Sequence, residues 1–194
     1  MENAHYFLHV TDTHLCFDAE APDICCTEQA LRSLYQTAFA WDHRPAFVLI
    51  TGDLVHEGTS ADYARAKTLL QELDEQYHTK TYPALGNHDN RENFNSAFRE
   101  QASDQPVDYC VQNEWLRWIV LDSSCGQVIG QLSGSQLAWL EQELCDPTDC
   151  PTILALHHPV YGTTTAETDA NNLATPDRLI RLLQDHPVDG ILCG

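Results

Sequence analysis

Four short polar clusters, each following an apolar run, constrain the fold of this chain more than any other feature. The apolar runs have the length and composition of buried strands, and they cover residues 6–10, 47–51, 81–85 and 153–156. The clusters that follow them are Asp12-Thr13-His14, Gly52-Asp53, Gly86-Asn87-His88-Asp89 and His157-His158-Pro159. In an open α/β sheet the carboxyl ends of the strands form one rim, where ligands bind. We therefore predict that these side chains, distant in sequence, converge on one site.

Helical stretches alternate with the strands through roughly the first hundred residues, which is the pattern of an α/β fold. The predicted helices cover residues 27–40, 60–76, 135–144 and 175–184. In the second helix the predicted N-cap is Ser60, and the predicted apolar stripe consists of Ala64, Leu69, Leu70 and Leu73.

The second half of the chain predicts a second sheet. Two β-rich runs, 107–112 and 114–121, flank Asn113 and predict a hairpin. In the helices that follow, Leu137, Leu140 and Leu144 are expected to face inward, and Pro176 to lie in a first turn. A last apolar run covers residues 188–193.

Length and charge limit the class of protein. A chain of 194 residues predicts a single domain with a substantial core. Its formal charge is -19, with 10 Lys and Arg against 29 Asp and Glu. So few cations argue against binding a nucleic-acid polymer through a basic surface.

The eight cysteines have two readings, four disulfides or reduced thiols. Their spacing is irregular, Cys25 and Cys26 are adjacent, and there is no Cys-x-x-Cys pair, so reduced thiols are favoured. The amino terminus lacks the basic and apolar regions of a signal peptide, and no apolar run approaches the ~18 residues that span a membrane. These features predict a cytoplasmic protein with no membrane partner.

The polar clusters contain the residue types that bind metals. Asp12 and His14 have the alternate spacing that lets a carboxylate and an imidazole grip one ion. Asp53 adds a carboxylate able to bridge two cations, and Asn87 adds an amide oxygen beside His88, an imidazole able to transfer protons. Each motif alone also fits loop residues that satisfy backbone groups, but the four in this order favour a two-metal phosphoesterase. Oxygen and imidazole donors without thiolate favour manganese or iron, with magnesium or zinc as alternatives.

These motifs resemble those of the calcineurin-like metallophosphoesterases, and within them the bacterial class III cyclic-nucleotide phosphodiesterases. The similarity runs along the whole chain and extends beyond the metal motifs. The matching stretches are residues 10–15, Thr51-Gly-Asp-Leu54, Leu121-Asp-Ser123, Gly130-Gln-Leu-Ser133, Gln136-Leu-Ala-Trp-Leu-Glu141 and Leu192-Cys-Gly194.

The resemblance implies an α/β fold, a sandwich of two mixed β-sheets flanked by helices. It also implies that Asp12, His14 and Asp53 hold one divalent metal ion, while Asp53, Asn87 and His157 hold the other. His88 would stand outside the ligand shell as proton donor or charge stabiliser, Asp89 would orient its loop, and His158 would pack or support. The remaining histidines match no family position and are expected to be surface or satisfied residues: His5, His9, His43, His56, His78 and His186.

The reaction implied by the resemblance is hydrolysis of a small-molecule phosphodiester. A hydroxide between the two cations would attack phosphorus in line, converting 3′,5′-cyclic AMP into a 5′-nucleoside monophosphate. Two alternatives remain open. One is another phosphoesterase of the same fold, acting on glycerophosphodiesters, phosphoproteins or nucleotides, and the other is a non-catalytic fragment.

Family members continue with Gly-His-x-His after the strand that corresponds to residues 188–193, whereas this sequence stops at Gly194. We therefore expect a single domain, 1–194, that lacks those two histidines and the strands after them. The second sheet would then be incomplete at its carboxyl-terminal edge, which leaves a homodimer open. Such a form is expected to bind metal weakly and to be nearly inactive.

Overall fold

The structure, a computed structural model, describes residues 5–17, 27–160 and 172–194. In these residues seven strands and five helices build two sheets. Their order is β1 (Leu8–Val10), α1 (Thr27–Ala38), β2 (Val48–Thr51), α2 (Ser60–Tyr77), β3 (Thr81–Ala84), α3 (Arg91–Arg99), β4 (Tyr109–Gln112), β5 (Arg117–Val120), α4 (Gly134–Cys145), β6 (Thr152–Ala155), α5 (Pro176–Asp185) and β7 (Gly190–Leu192). Cys25, Cys26 and residues 161–171 lie outside the described residues.

The first sheet has the order β1-β2-β3 and is parallel throughout its described strands. Side chains of a strand alternate between the two faces of a sheet. All four residues of β2 are buried, so both faces of this strand are covered. Val48 and Ile50 pack with α1 and α2, whereas Leu49 packs on the opposite face. Burial on both faces explains why the strand is an unbroken apolar run.

The second sheet has the order β4-β5-β6-β7 and is mixed. The β4–β5 pair is antiparallel, which confirms the predicted hairpin, and the β5–β6 and β6–β7 pairs are parallel. The turn extends past Asn113, whose side-chain oxygen accepts hydrogen bonds from the backbone N–H groups of Trp115 and Leu116 at 3.0 and 2.9 Å.

The two sheets pack face to face, with helices outside both. The shared layer between the sheets is apolar and consists of Phe47, Leu49, Ala84, Leu116, Trp118, Val120 and Ala155. At its centre the rings of Phe47 and Trp118 stack with centroids 4.1 Å apart. On the outer face of the second sheet, Leu137 and Leu140 of α4 and Leu179 of α5 are buried with β5 and β6. The expected two-sheet sandwich flanked by helices is therefore confirmed.

Helix α2 corrects two predictions. Its N-cap is Thr59 rather than Ser60, since the Thr59 hydroxyl accepts from the Asp62 N–H and the Asp62 carboxylate accepts from the Thr59 N–H. Ala64 is exposed, and Tyr63 and Ala66 occupy the buried face together with Leu69, Leu70 and Leu73. The predicted stripe was wrong at its first position because Tyr63, with both a ring and a hydroxyl, is completely buried.

Helix α3 was not predicted. It has nine residues, and only Phe94 and Asn95 are buried, so its sequence lacks a long apolar period. The helix is fixed by its Asn90 cap and by Arg91, whose Nε donates to the buried Asp122 carboxylate at 2.7 Å. Helices α4 and α5 follow their predictions within a residue or two, with Pro176 at the start of α5. No helix of the described residues has the length and apolar character needed to cross a membrane.

Candidate metal centre

The four polar clusters meet at one end of the sandwich. Those after β1, β2 and β3 come from the first sheet, and His157 follows β6 of the second sheet. Both sheets therefore contribute side chains. The sequence predicted the site at the rim of one open sheet, and the second sheet adds His157 to that rim.

Asp53 lies at the middle of this group and is almost fully buried, with 2% of its surface exposed. Its Oδ2 lies 3.5 Å from Nε2 of His14 and 3.6 Å from Nε2 of His157. Its Oδ1 accepts a hydrogen bond of 2.9 Å from the backbone N–H of His88. One oxygen thus faces both imidazoles while the other holds the next loop.

Two groups of potential ligands share Asp53. In the first, one ligand atom from each of Asp12, His14 and Asp53 lies within 4.8 Å of the others. In the second, Nε2 of His157 lies 3.1 Å from Oδ1 of Asn87. Nδ1 of His157 lies 3.0 Å from the Thr51 carbonyl oxygen and so carries the proton, which leaves the lone pair on Nε2. The structure thus brings the five predicted ligands together, and their division between two metal ions stays a prediction.

Backbone conformations at the centre are unusual for their residue types. Asp12, His14 and Asp53 have φ values of 53°, 40° and 49°, in the left-handed region that few residues other than glycine occupy. Such conformations concentrate at functional sites, where the surrounding structure enforces them. Here backbone hydrogen bonds between the two loops hold the conformations, because the N–H groups of Asp12 and His14 donate to the carbonyls of Gly52 and Asp53.

Two glycines allow the clusters to approach each other. A Cβ atom on Gly52 would lie 2.5 Å from Nδ1 of His157, and one on Gly86 would lie 2.2 Å from Oδ1 of Asp53. Neither position has room for a side chain, so the glycine preceding each ligand loop is needed for close contact.

Asp89 ties the loops after β2 and β3 together. Its carboxylate accepts from the N–H groups of Leu54 and Gly86 at 3.0 and 2.9 Å and from the Tyr63 hydroxyl at 2.8 Å. Burial raises the pKa of Asp89 to about 6, and the three donors oppose that rise. The side chain therefore fixes the relative position of Asp53 and Asn87, the role expected for it.

His88 lies beside the ligand groups, with an exposed side chain. Its Nδ1 lies 2.9 Å from the His56 carbonyl oxygen and must donate to it, which leaves Nε2 as the nitrogen available to another partner. Its ring stands edge-on to that of His14, with centroids 4.7 Å apart.

His158 and His56 contrast with each other. Nδ1 of His158 bonds to the Ser123 hydroxyl at 2.7 Å and Nε2 to the Val128 carbonyl at 3.1 Å, and burial lowers its pKa to about 4. Both nitrogens are engaged, so His158 is the packing residue that was expected.

His56 was expected to be an ordinary surface or satisfied histidine, yet it lies with His14 and His88 at the edge of the centre. Its sequence signal was its place three residues after Asp53, on the loop that carries a ligand.

The donor set fits divalent cations. The described ion pairs of Asp12 and Asp53 are with histidines only, so no lysine or arginine among them neutralises these carboxylates. Burial is the main cause that lowers the pKa of His14, which favours the neutral ring that binds metals. Carboxylate, amide and neutral imidazole donors around a shared carboxylate are suited to two ions.

Comparison with known proteins places this arrangement in a family. The calcineurin-like phosphoesterase family model matches residues 5–194. A solved structure of a dimetal phosphatase from Danio rerio superimposes with a TM-score of 0.71 over 95% of this chain and 79% of that chain, at 14% identity, and so supports the fold. The chain belongs to the calcineurin-like phosphoesterase family.

Curated relatives cover nearly the whole chain. A probable cyclic nucleotide phosphodiesterase of Rhodococcus erythropolis is 35% identical over 98% of this chain and 64% of the relative. A cAMP/cGMP dual specificity phosphodiesterase of Mycobacterium tuberculosis is 32% identical over 98% of this chain and 61% of the relative. A glycerophosphodiester phosphodiesterase of Enterobacter lignolyticus is 32% identical over 78% of this chain and 55% of the relative. The chain thus spans less than two thirds of the length of these relatives.

Proposed function

We propose that this chain forms the catalytic centre of a binuclear metal-dependent phosphodiesterase that hydrolyses 3′,5′-cyclic nucleotides, cyclic AMP foremost, to 5′-nucleoside monophosphates. The observation that carries the proposal is Oδ2 of Asp53, which lies 3.5 and 3.6 Å from two imidazole nitrogens on opposite loops. The substrate class is supported by the names of the Rhodococcus and Mycobacterium relatives.

Asp12, His14 and Asp53 would hold one cation, and Asp53, Asn87 and His157 the other. When bound, two divalent cations supply positive charge for the phosphoryl oxygens and lower the pKa of an attacking water. Manganese or iron suits the mixed oxygen and imidazole donors, and magnesium and zinc are the alternatives to test.

His88 acts on the leaving oxygen. The His56 carbonyl holds Nδ1, so a protonated His88 presents the Nε2 proton to substrate. Water attacks phosphorus and gives up one proton to solvent, the bond from phosphorus to O3′ breaks, and O3′ takes the proton from Nε2, which His88 then regains from solvent. General acid catalysis of this kind contributes about 10²–10⁴-fold. The 5′ ester is untouched, so the product is a 5′-monophosphate.

The choice of substrate separates this proposal from its main alternative, which the Enterobacter relative favours, a glycerophosphodiesterase. Protein that includes the Gly-His-x-His segment should be purified, loaded with Mn²⁺ and assayed on cyclic AMP, glycerophosphocholine, an aryl phosphodiester and an aryl phosphomonoester. We expect the highest kcat/KM for cyclic AMP and the lowest for the monoester. A higher value for glycerophosphocholine would replace the proposed substrate, and a higher value for the monoester would reject a diesterase.

The partner implied by this function is a small phosphodiester rather than a nucleic-acid polymer. With a formal charge of -19, the chain repels a phosphate backbone over most of its surface. We expect no retention of duplex DNA by the protein at low salt, measured by fluorescence anisotropy.

A further inference from the structure

A second group of potential ligands adjoins the Asp53 centre and consists of His14, His56 and His88. One ring nitrogen from each lies within 4.8 Å of those from the other two. The ring centroids are 4.7 Å apart for His14 and His88, 5.3 Å for His56 and His88, and 5.5 Å for His14 and His56. We call these three residues the histidine cluster. The function proposed above gives the His56 side chain no role.

In each ring of the histidine cluster, one nitrogen faces a hydrogen-bond acceptor and the other nitrogen is available to a ligand. Nε2 of His56 lies 3.5 Å from Oε1 of Glu57, and its Nδ1 is buried with no hydrogen-bond partner among the described residues. His88 uses Nδ1 to contact the His56 carbonyl, which leaves Nε2.

His14 follows the same pattern. Its Nε2 faces the carboxylates of Asp12 and Asp53, and its Nδ1 is a second buried nitrogen without a partner in the described part of the chain. A metal-bound histidine ordinarily has one nitrogen on the ion and the other donating to a carboxylate or a backbone carbonyl. Each of the three rings therefore has one nitrogen available to an ion.

We propose that the histidine cluster is a further cation site, which takes a nitrogen-preferring ion, Zn²⁺ foremost, and that its occupation inhibits the hydrolase. Imidazole ligands suit zinc, copper and nickel, whereas carboxylate and carbonyl ligands suit magnesium and manganese. Zinc binds imidazole nitrogen at about 2.0–2.1 Å, so small rotations of the rings, of which His88 is exposed, bring them onto one ion. The carboxylates of Glu57, Asp12 and Asp53 offset the charge of the ion.

Inhibition follows from the two rings that the cluster shares with the Asp53 centre. A neutral imidazole has one nitrogen with a free lone pair. An ion on Nδ1 of His14 leaves a proton on Nε2, so His14 can no longer bind a cation beside Asp12 and Asp53. An ion on Nε2 of His88 removes the proton donor. This inhibition rests on the proposed function, whereas zinc binding at the cluster does not.

The binding is tested by NMR on protein with ¹⁵N-labelled histidine. Zinc is added to the Mg²⁺-saturated protein, and long-range ¹H–¹⁵N spectra report the state of each ring nitrogen. We expect the His56 signals to shift to values typical of a metal-bound imidazole, with assignments from His56→Gln. Shifts of His14 and His157 without any change at His56 would show that zinc only replaces the ions of the Asp53 centre, and would overturn the proposal.

The inhibition is tested by titrating zinc into the Mn²⁺-loaded enzyme. His56→Gln keeps the backbone carbonyl that holds His88 and removes one ligand. Relative to the activity of each variant without zinc, we expect half-inhibition in His56→Gln to need at least about tenfold more zinc. The matched control is His43→Gln, a change at an exposed histidine outside the cluster, which should behave as wild type.

Equal zinc sensitivity of wild type and His56→Gln would reject an inhibitory cluster. If the protein lacks phosphodiesterase activity in Mn²⁺, the NMR result still decides the cation site. Failure of the proposed function is then distinct from failure of this inference.

Discussion

At the scale of single residues, the two oxygens of Asp53 divide the work of the centre. Oδ1 accepts the His88 backbone N–H at 2.9 Å, whereas Oδ2 is the oxygen that faces the imidazoles of His14 and His157. A carboxylate is able to bridge two cations because it has two oxygens, and the family resemblance implied that Asp53 does so. Because Oδ2 faces both imidazoles, Asp53 would belong to both predicted ligand sets.

Replacing Asp53 should therefore lower the bound metal content more than replacing a residue that belongs to only one of the two ligand sets. In a form of the protein that includes the Gly-His-x-His segment, we expect Asp53→Ala to lose both cations and all measurable activity, and His14→Ala to keep the cation beside Asn87 and His157. Metal content by mass spectrometry after dialysis against metal-free buffer is the measurement. Equal occupancy in wild type and Asp53→Ala would contradict the bridging role.

His88→Ala separates chemistry from metal binding. Because the ring lies outside the two ligand groups, we expect both cations to remain and kcat to fall by about 10²-fold or more. The loss should be larger for a substrate with a poorer leaving group, which needs the proton more. Loss of a cation, with activity restored by excess Mn²⁺, would instead identify His88 as a ligand.

The residue types at the strand ends were sufficient to predict which side chains converge, because alternation along a strand and the common rim fix their direction. His56 could not be predicted in this way. Its direction depends on the left-handed backbone of Asp53 at φ 49° and on the loop that follows, and neither has a periodic signal in the sequence.

At the scale of secondary-structure elements, the loops after β2 and β3 must approach within van der Waals contact. Gly86 makes this possible, since a Cβ there would lie 2.5 Å from the backbone nitrogen of Asp53. We expect Gly86→Ala to lower metal affinity by at least about tenfold although it removes no ligand. The control is Gly190→Ala, where the nearest atom to the added Cβ is 3.7 Å away. Isothermal titration with Mn²⁺ measures both, and equal affinities would show that the loops can separate without cost.

The N-cap of α2, which is Thr59 rather than the predicted Ser60, can be tested by mutation. Thr59 and Asp62 form the capping box, so Thr59→Ala should lower the free energy of unfolding by about 0.5–2 kcal/mol. Ser60, whose hydroxyl donates to Oδ1 of Asn93 at an exposed position, should cost less when changed to alanine. Urea unfolding of both variants measures the free energy of unfolding. A larger decrease for Ser60→Ala than for Thr59→Ala would identify Ser60 as the N-cap, as the sequence predicted.

Helices and strands with a regular pattern of apolar residues could be predicted from the sequence. An element held in place by a cap and one ion pair could not. The strand β2 and helix α4 have unbroken apolar patterns, and their bounds agree with prediction within two residues. Helix α3 depends instead on the Asn90 cap and on the pair of Arg91 with Asp122, 31 residues away. A contact at that separation is a property of the fold and leaves no local signal.

At the scale of the whole molecule, two sheets make one site. His157 reaches Asp53 because the apolar layer between the sheets, with Trp118 and Phe47 at its centre, sets their separation. The sequence predicted both sheets but had no means to predict their packing, which depends on the shapes of large side chains such as Trp118. The homodimer stays a prediction, for which light scattering in solution is the measurement.

The cysteines test the packing of the whole chain, because their reactivity should follow burial. The described cysteines Cys16, Cys110, Cys125, Cys145, Cys150 and Cys193 are free thiols. Cys125 and Cys145 are exposed, whereas Cys16 is buried. Burial is the largest cause that raises the pKa of Cys110, from 9.0 to about 11.

Only the thiolate reacts with an alkylating reagent, so this shift predicts a rate for Cys110 on the order of a hundredfold below that of an unperturbed thiol. With iodoacetamide at pH 8 we expect Cys125 and Cys145 to be modified first, and Cys16 and Cys110 last. Peptide mass spectrometry over time measures each site, and protein unfolded in urea is the control in which the rates become similar. Equal rates for Cys110 and Cys125 in the folded protein would contradict the partial burial of Cys110 in strand β4. Sites that react only after a reductant is added would show disulfides in place of the thiols described here.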